Sequence, residues 1–113
     1  MSTKTTIATD ETFQALTSKG TSVVKFTASW CGPCRMMDPI VDSVIDEARA
    51  TGLDTKFIEV DVDECPKTAS EFGVRGVPTF VLIDDGEESH RRVGMLKRHE
   101  LLAIAAGADF RPA

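Results

Sequence analysis

The chain has 113 residues, of which 42% are hydrophobic and 27% charged, and a net charge of −5. That length suits one domain with one core. The acidic balance argues against a nucleic-acid partner, and no apolar run approaches the length needed to cross a membrane. The N-terminal residues lack the apolar segment of a secretory signal. Three cysteines in a chain able to build a core do not read as a disulfide scaffold. The expected setting is a reducing, cytoplasmic one in which any disulfide is transient.

Taken in chain order, residues 4–8 read as a short edge strand around Ile7. Asp10 reads as an N-cap, with Glu11 in the first turn and Phe13 and Leu16 as the buried side of a short helix ending at Gly20. Residues 23–28 are nearly all apolar, which suits a central strand covered on both faces. From about Pro33, apolar residues recur at Met37, Ile40, Val41, Val44, Ile45 and Ala48. Those spacings of three and four predict an amphipathic helix to about Ala50, ended by Gly52. Pro39 removes an N–H from its interior and predicts a kink.

Residues 57–62 alternate apolar positions against Glu59 and Asp61 and predict another strand. A short helix starts near Pro66, where a missing N–H costs nothing, and stops at Gly73. Residues 79–83 form a third apolar strand, and Asp85-Gly86 marks a tight hairpin turn into 88–93. The charges of Glu88, His90, Arg91 and Arg92 suit an exposed edge. Residues 97–106 close the chain as a helix with Leu101, Leu102 and Ile104 inward. One domain over 1–107 with a short tail over 108–113 is expected. The order β-α-β-α-β-α-β-β-α predicts an α/β fold, a mixed central β-sheet flanked by helices on both faces.

The chemistry gathers in Trp30-Cys31-Gly32-Pro33-Cys34, between the strand at 23–28 and the long helix. Two cysteines with two residues between them at a helix start lie one turn apart on one face. They can close a small disulfide ring or stay as a dithiol. Cys31, at the helix entrance, faces unpaired N–H groups and the positive end of the helix dipole, which favours a thiolate. Cys34 sits a turn deeper. A zinc site using Cys31, Cys34, Cys65 and a histidine would need a second close ligand pair, and the sequence offers none.

Together with Gly76-Val77-Pro78-Thr79, and Val93-Gly94 beyond it, this motif strongly resembles the thioredoxin family, the match running from Ile7 to Ile104. The resemblance implies a thioredoxin fold and a protein-disulfide reductase, a dithiol electron carrier working as a monomer without a bound cofactor. Its partners would be disulfide-containing target proteins and an NADPH-dependent thioredoxin reductase. Gly32-Pro33 resembles the reducing members rather than the isomerases or oxidases, which carry histidine there. Cys31 would attack a target disulfide and Cys34 would resolve the mixed disulfide. Pro78 by itself would be a proline starting a strand. The resemblance makes it a cis-proline against the dithiol, leaving the Val77 backbone to pair with a substrate strand. Trp30, Gly32, Pro33, Val74, Gly76, Val77, Gly94 and Met95 would form an apolar docking rim. A rival reading is a binding module on the same fold whose redox activity is dispensable.

One position departs from the family pattern. Where most thioredoxins carry a buried aspartate, six residues before the first active-site cysteine, this chain has Lys25. A buried lysine needs a carboxylate partner. Asp38, on the same helix face as Cys34, and Glu59, in the neighbouring strand, are the candidates. A charge-reversed pair would place Lys25 with one of them beneath Cys34, and either carboxylate or a neutral Lys25 would then handle its proton. The alternative is that Lys25 threads its ammonium to the surface and Asp38 is merely solvated. Cys65, just before Pro66, reads as a spare, semi-exposed thiol or a somewhat activated one, and His90 and His99 as solvated surface residues.

Overall fold

The computed structural model describes residues 4–107, so the tail expected over 108–113 lies outside the described residues. The elements are β1 (Thr6–Ile7), α1 (Phe13–Thr17), β2 (Thr21–Thr27), α2 (Gly32–Ala50), β3 (Lys56–Asp61), α3 (Pro66–Glu71), β4 (Thr79–Asp84), β5 (Glu87–Val93) and α4 (Arg98–Ala105). This is the expected element order. The five strands form one sheet in the order β1-β3-β2-β4-β5. β2 pairs in parallel with β3 and antiparallel with β4, so the sheet is mixed and β2 is its centre.

Strand alternation sorts the side chains into two cores. Val23, Phe57, Phe80 and Leu82 face α2 and α4, where Met37, Val41, Val44, Ile45, Leu101 and Ile104 complete the packing. Val24, Phe26, Ile58, Val60, Val81 and Ile83 face the other way, toward Phe13 of α1 and the Phe72–Val74 segment after α3. The apolar run of β2 follows from this: every residue from Ser22 to Thr27 is buried. α2 runs unbroken through Pro39, whose ring lies on the exposed side. Asp85 and Gly86 both have positive φ, 47° and 88°, the backbone a two-residue hairpin turn requires.

Asp10 is not the cap of α1. That helix begins after Thr12, and the Thr9–Thr12 turn closes on itself through their own hydroxyls and backbone. The Asp10 carboxylate instead accepts from the backbone N–H and the hydroxyl of Thr68, at 2.9 and 2.7 Å, and from Lys67 N–H at 3.3 Å. It therefore caps the first turn of α3, far along the chain.

Candidate active site

Cys31 is the N-cap of α2, with extended backbone (φ −90°, ψ 106°), and its Sγ accepts the Cys34 N–H at 3.1 Å. Sulfur thus occupies the place usually taken by a capping oxygen, against the free amides and positive dipole end of a 19-residue helix. Cys31 and Cys34 are joined as a disulfide with Cα atoms 5.3 Å apart. Both are buried, Cys34 the more deeply, in a small apolar cluster with Ala28, Val62 and Val77. The Val77–Pro78 bond is cis, as the motif implied. Val77 O lies 3.6 Å from Cys31 Sγ. A disulfide sulfur has no proton to donate, so this approach is a contact here.

The expected docking residues gather on this side. A cavity of about 120 Å³ is lined by Trp30, Val62, Val74, Arg75, Gly76 and Val77. Trp30 is 67% exposed, with its indole N–H donating to Asp63 Oδ2 at 2.9 Å. Gly94 N–H donates to Pro78 O at 2.8 Å, which brings Gly94 and the exposed Met95 up to the same rim. Pro33 is exposed and Gly32 half-buried between the cysteines. Val62, Asp63 and Arg75 were not singled out from the sequence. Val62 continues the alternation of β3 and was legible there; nothing local marks Asp63 or Arg75.

Lys25 is buried, 2% exposed, and does not reach the surface. Its Nζ donates to Cys34 O at 2.8 Å and to Asp38 Oδ1 at 2.6 Å, and lies 3.9 Å from Glu59 Oε1. The two candidate carboxylates are therefore both present, and the solvated alternative for Lys25 and Asp38 is overturned. Burial pushes the Asp38 carboxyl up, but the hydrogen bond and charge of Lys25 pull against it, and its pKa stands below the ordinary carboxylate value.

Cys65 is neither semi-exposed nor activated. It is buried at the end of the Asp61–Glu64 turn, its Sγ 3.4 Å from Ala8 O. Burial first, then the negative charges of Asp10, Asp61, Glu11 and Glu64, raise its pKa. His99 is exposed and His90 half-buried. Among the described residues, no helix is long and apolar enough to cross a membrane, and no three His, Cys, Asp or Glu are grouped to hold a metal ion.

The comparisons with known proteins agree with this geometry. The thioredoxin family model matches residues 4–106. A thioredoxin of Listeria monocytogenes is 42% identical, the match covering 82% of this chain and 87% of its own. For a thioredoxin of Bacillus subtilis the figures are 38%, 83% and 88%. One solved chain comes from work on thiol resolution in yeast mitochondrial 1-Cys peroxiredoxin via the glutathione and thioredoxin systems. It superposes with a TM-score of 0.81 at 33% identity, over 93% of this chain and 96% of that one. The chain belongs to the thioredoxin family. Its expected activity, thiol–disulfide exchange by a protein-disulfide reductase through Cys31 and Cys34, is that of the family, and the pair stands at disulfide distance.

Proposed function

We propose that Cys31 is the attacking sulfur and Cys34 the resolving one in the reduction of disulfides in target proteins. The observation that carries this assignment is the capping of α2 by Cys31 Sγ, which accepts the Cys34 N–H at 3.1 Å. A donor and a helix dipole aimed at one sulfur stabilise its thiolate over its thiol. Cys34 has no such exposure to the helix end and lies sealed one turn deeper. The Cys31 thiolate attacks a target disulfide, forming a bond between Cys31 and the target as the target's own S–S bond breaks. Cys34 then attacks Cys31, the mixed bond breaks, and the target leaves with both sulfurs reduced.

The target would dock as an extended segment over Trp30, Gly32, Pro33, Val74, Gly76, Val77, Gly94 and Met95, with Pro78 beside Cys31. Either Asp38 or Glu59, or a neutral Lys25, would handle the proton of Cys34, a reading supported by the 2.8 Å bond from Lys25 to Cys34 O. An NADPH-dependent thioredoxin reductase would restore the dithiol in the cytoplasm. This partner and setting are supported by the named thioredoxins to which the chain is similar.

The test uses insulin as a protein disulfide. Reduced protein should precipitate insulin chains in the presence of a dithiol reductant, and Cys31→Ser should abolish the reaction. Cys34→Ser should accumulate a covalent complex through Cys31. Trapping by Cys31→Ser instead would reverse the assignment.

A further inference from the structure

Resting on the reading of Cys34 as the resolving sulfur, we propose that Asp38 is the proton carrier of the resolving step, exchanging with solvent through a side cavity behind the cysteines, with Lys25 as its positioning residue. Asp38 follows Cys34 by one turn of α2, on the same face. Lys25 Nζ bonds Cys34 O at 2.8 Å and Asp38 Oδ1 at 2.6 Å, so one ammonium holds the carboxylate against the turn that carries the sulfur. A cavity of about 170 Å³ opens beside it, lined by Thr27, Ala28, Ser29, Arg35, Asp38 and Asp61. Ala28 lines this cavity and also packs in the cysteine cluster, so a single residue stands between the Asp38 cavity and the buried cysteines. Its wall is mostly apolar, but Thr27, Ser29, Arg35, Asp38 and Asp61 supply polar partners, and it is large enough to hold water, at roughly 30 Å³ for each.

Glu59 does not have this access. It is fully buried, is not among the residues lining the cavity, and lies farther from Lys25, at 3.9 Å. It serves as a fixed negative charge beside Lys25. Among the described residues, the charged groups beside Asp38 and its cavity include Lys25 on β2, Arg35 on α2 and Asp61 on β3. Arg35 is turned to Ser29 O at 2.7 Å.

The step balances as follows. The Cys34 thiol gives its proton to Asp38 through cavity water, and its sulfur pair attacks Cys31 Sγ in the mixed disulfide. The Cys31–Cys34 bond forms as the bond from Cys31 to the target breaks. The target sulfur leaves with the electron pair and takes a proton from solvent, while Asp38 returns its own. The target disulfide is the oxidant and the dithiol the reductant.

Stopped-flow reaction of the reduced protein with dithiobis(nitrobenzoate) separates the two steps. The first thionitrobenzoate released reports attack by Cys31, and the second reports closure by Cys34. In Asp38→Ala the second phase should slow on the order of tenfold or more, and formate at constant ionic strength should restore it in proportion to its concentration. Asp38→Asn, which keeps an oxygen for Lys25 and so protects the fold, should be slowed between about pH 6 and 9. A second phase at the wild-type rate in either folded variant, or a slowed Asp38→Ala phase that formate does not accelerate, overturns the proposal alone. A wild-type protein with no first phase overturns the Cys31 assignment and this proposal with it.

Discussion

Lys25 and Glu59 stand opposite each other on adjacent parallel strands, Nζ 3.9 Å from Oε1, with the Glu59 side chain wholly cut off from solvent. A buried charge pair is tolerated as a unit, because losing one member leaves the other desolvated and uncompensated. Lys25→Met leaves Asp38 and Glu59 facing each other and should cost about 3–5 kcal/mol. Glu59→Gln leaves Lys25 its 2.6 Å bond to Asp38 and should cost less, about 1–3 kcal/mol. Lys25→Met combined with Glu59→Gln should be more stable than the two losses added together. Urea unfolding of the four proteins checks this, and strict additivity would refute the coupling.

Asp10 couples the segment before α1 to α3 through Thr68. The Thr68 hydroxyl bond, with the backbone bonds from Thr68 and Lys67 and the charge of Lys67, outweighs desolvation and holds the Asp10 carboxyl below its ordinary value of 3.8. A depressed folded pKa stabilises the protein above the unfolded pKa, and that stability is lost as pH falls through the folded one. Asp10→Ala should therefore lower the melting temperature at neutral pH. The gap to wild type should shrink below about pH 4 and close in stronger acid. A gap independent of pH would show that the charge is not what matters.

Cys65 should be silent in the folded protein. With the thiol buried and four carboxylates raising its pKa, iodoacetamide should label Cys31 of the reduced protein first. Cys65 should label about a hundredfold more slowly or worse, and readily only in denaturant. Peptide mass spectrometry over a time course reads both rates, and equal labelling would contradict the burial.

Trp30 offers its indole face to solvent while Asp63 holds its N–H. Exposed aromatics anchored in this way are frequent energetic centres of docking surfaces. Trp30→Ala should lower kcat/KM for insulin by about tenfold, a loss of roughly 1.4 kcal/mol. A small aromatic disulfide, which covers less of the rim, should lose less. An equal loss on both substrates would move Trp30 from docking to the chemistry of Cys31.

Much of this molecule was legible before any coordinates. The spacing of Met37, Ile40, Val41, Val44, Ile45 and Ala48 marks the inner stripe of α2, and all are buried except Ile40, which is half-buried. The Asp85-Gly86 turn and the cysteine pair were equally plain, since φ sterics and helix periodicity act over a few neighbouring residues. The need of Lys25 for a carboxylate also followed, because the cost of burying a charge does not depend on which strand supplies the answer.

Other features rest on contacts between residues remote in the chain. Asp10 has the chemistry of a cap wherever it sits, but the helix it caps is set by the packing of α3 beside it, 58 residues away. Lys25 had two candidate partners of equal chemistry, and the crossing of α2 over β2 gave Asp38 the 2.6 Å bond and Glu59 the 3.9 Å place. Cys65 heads a helix just as Cys31 does, yet the Cys65 sulfur is covered at Ala8 O while the Cys31 sulfur meets the Val77 carbonyl beside Pro78. Residue type and local rhythm specify what each segment can do; which charges, cavities and carbonyls meet it depends on chain folded back from elsewhere.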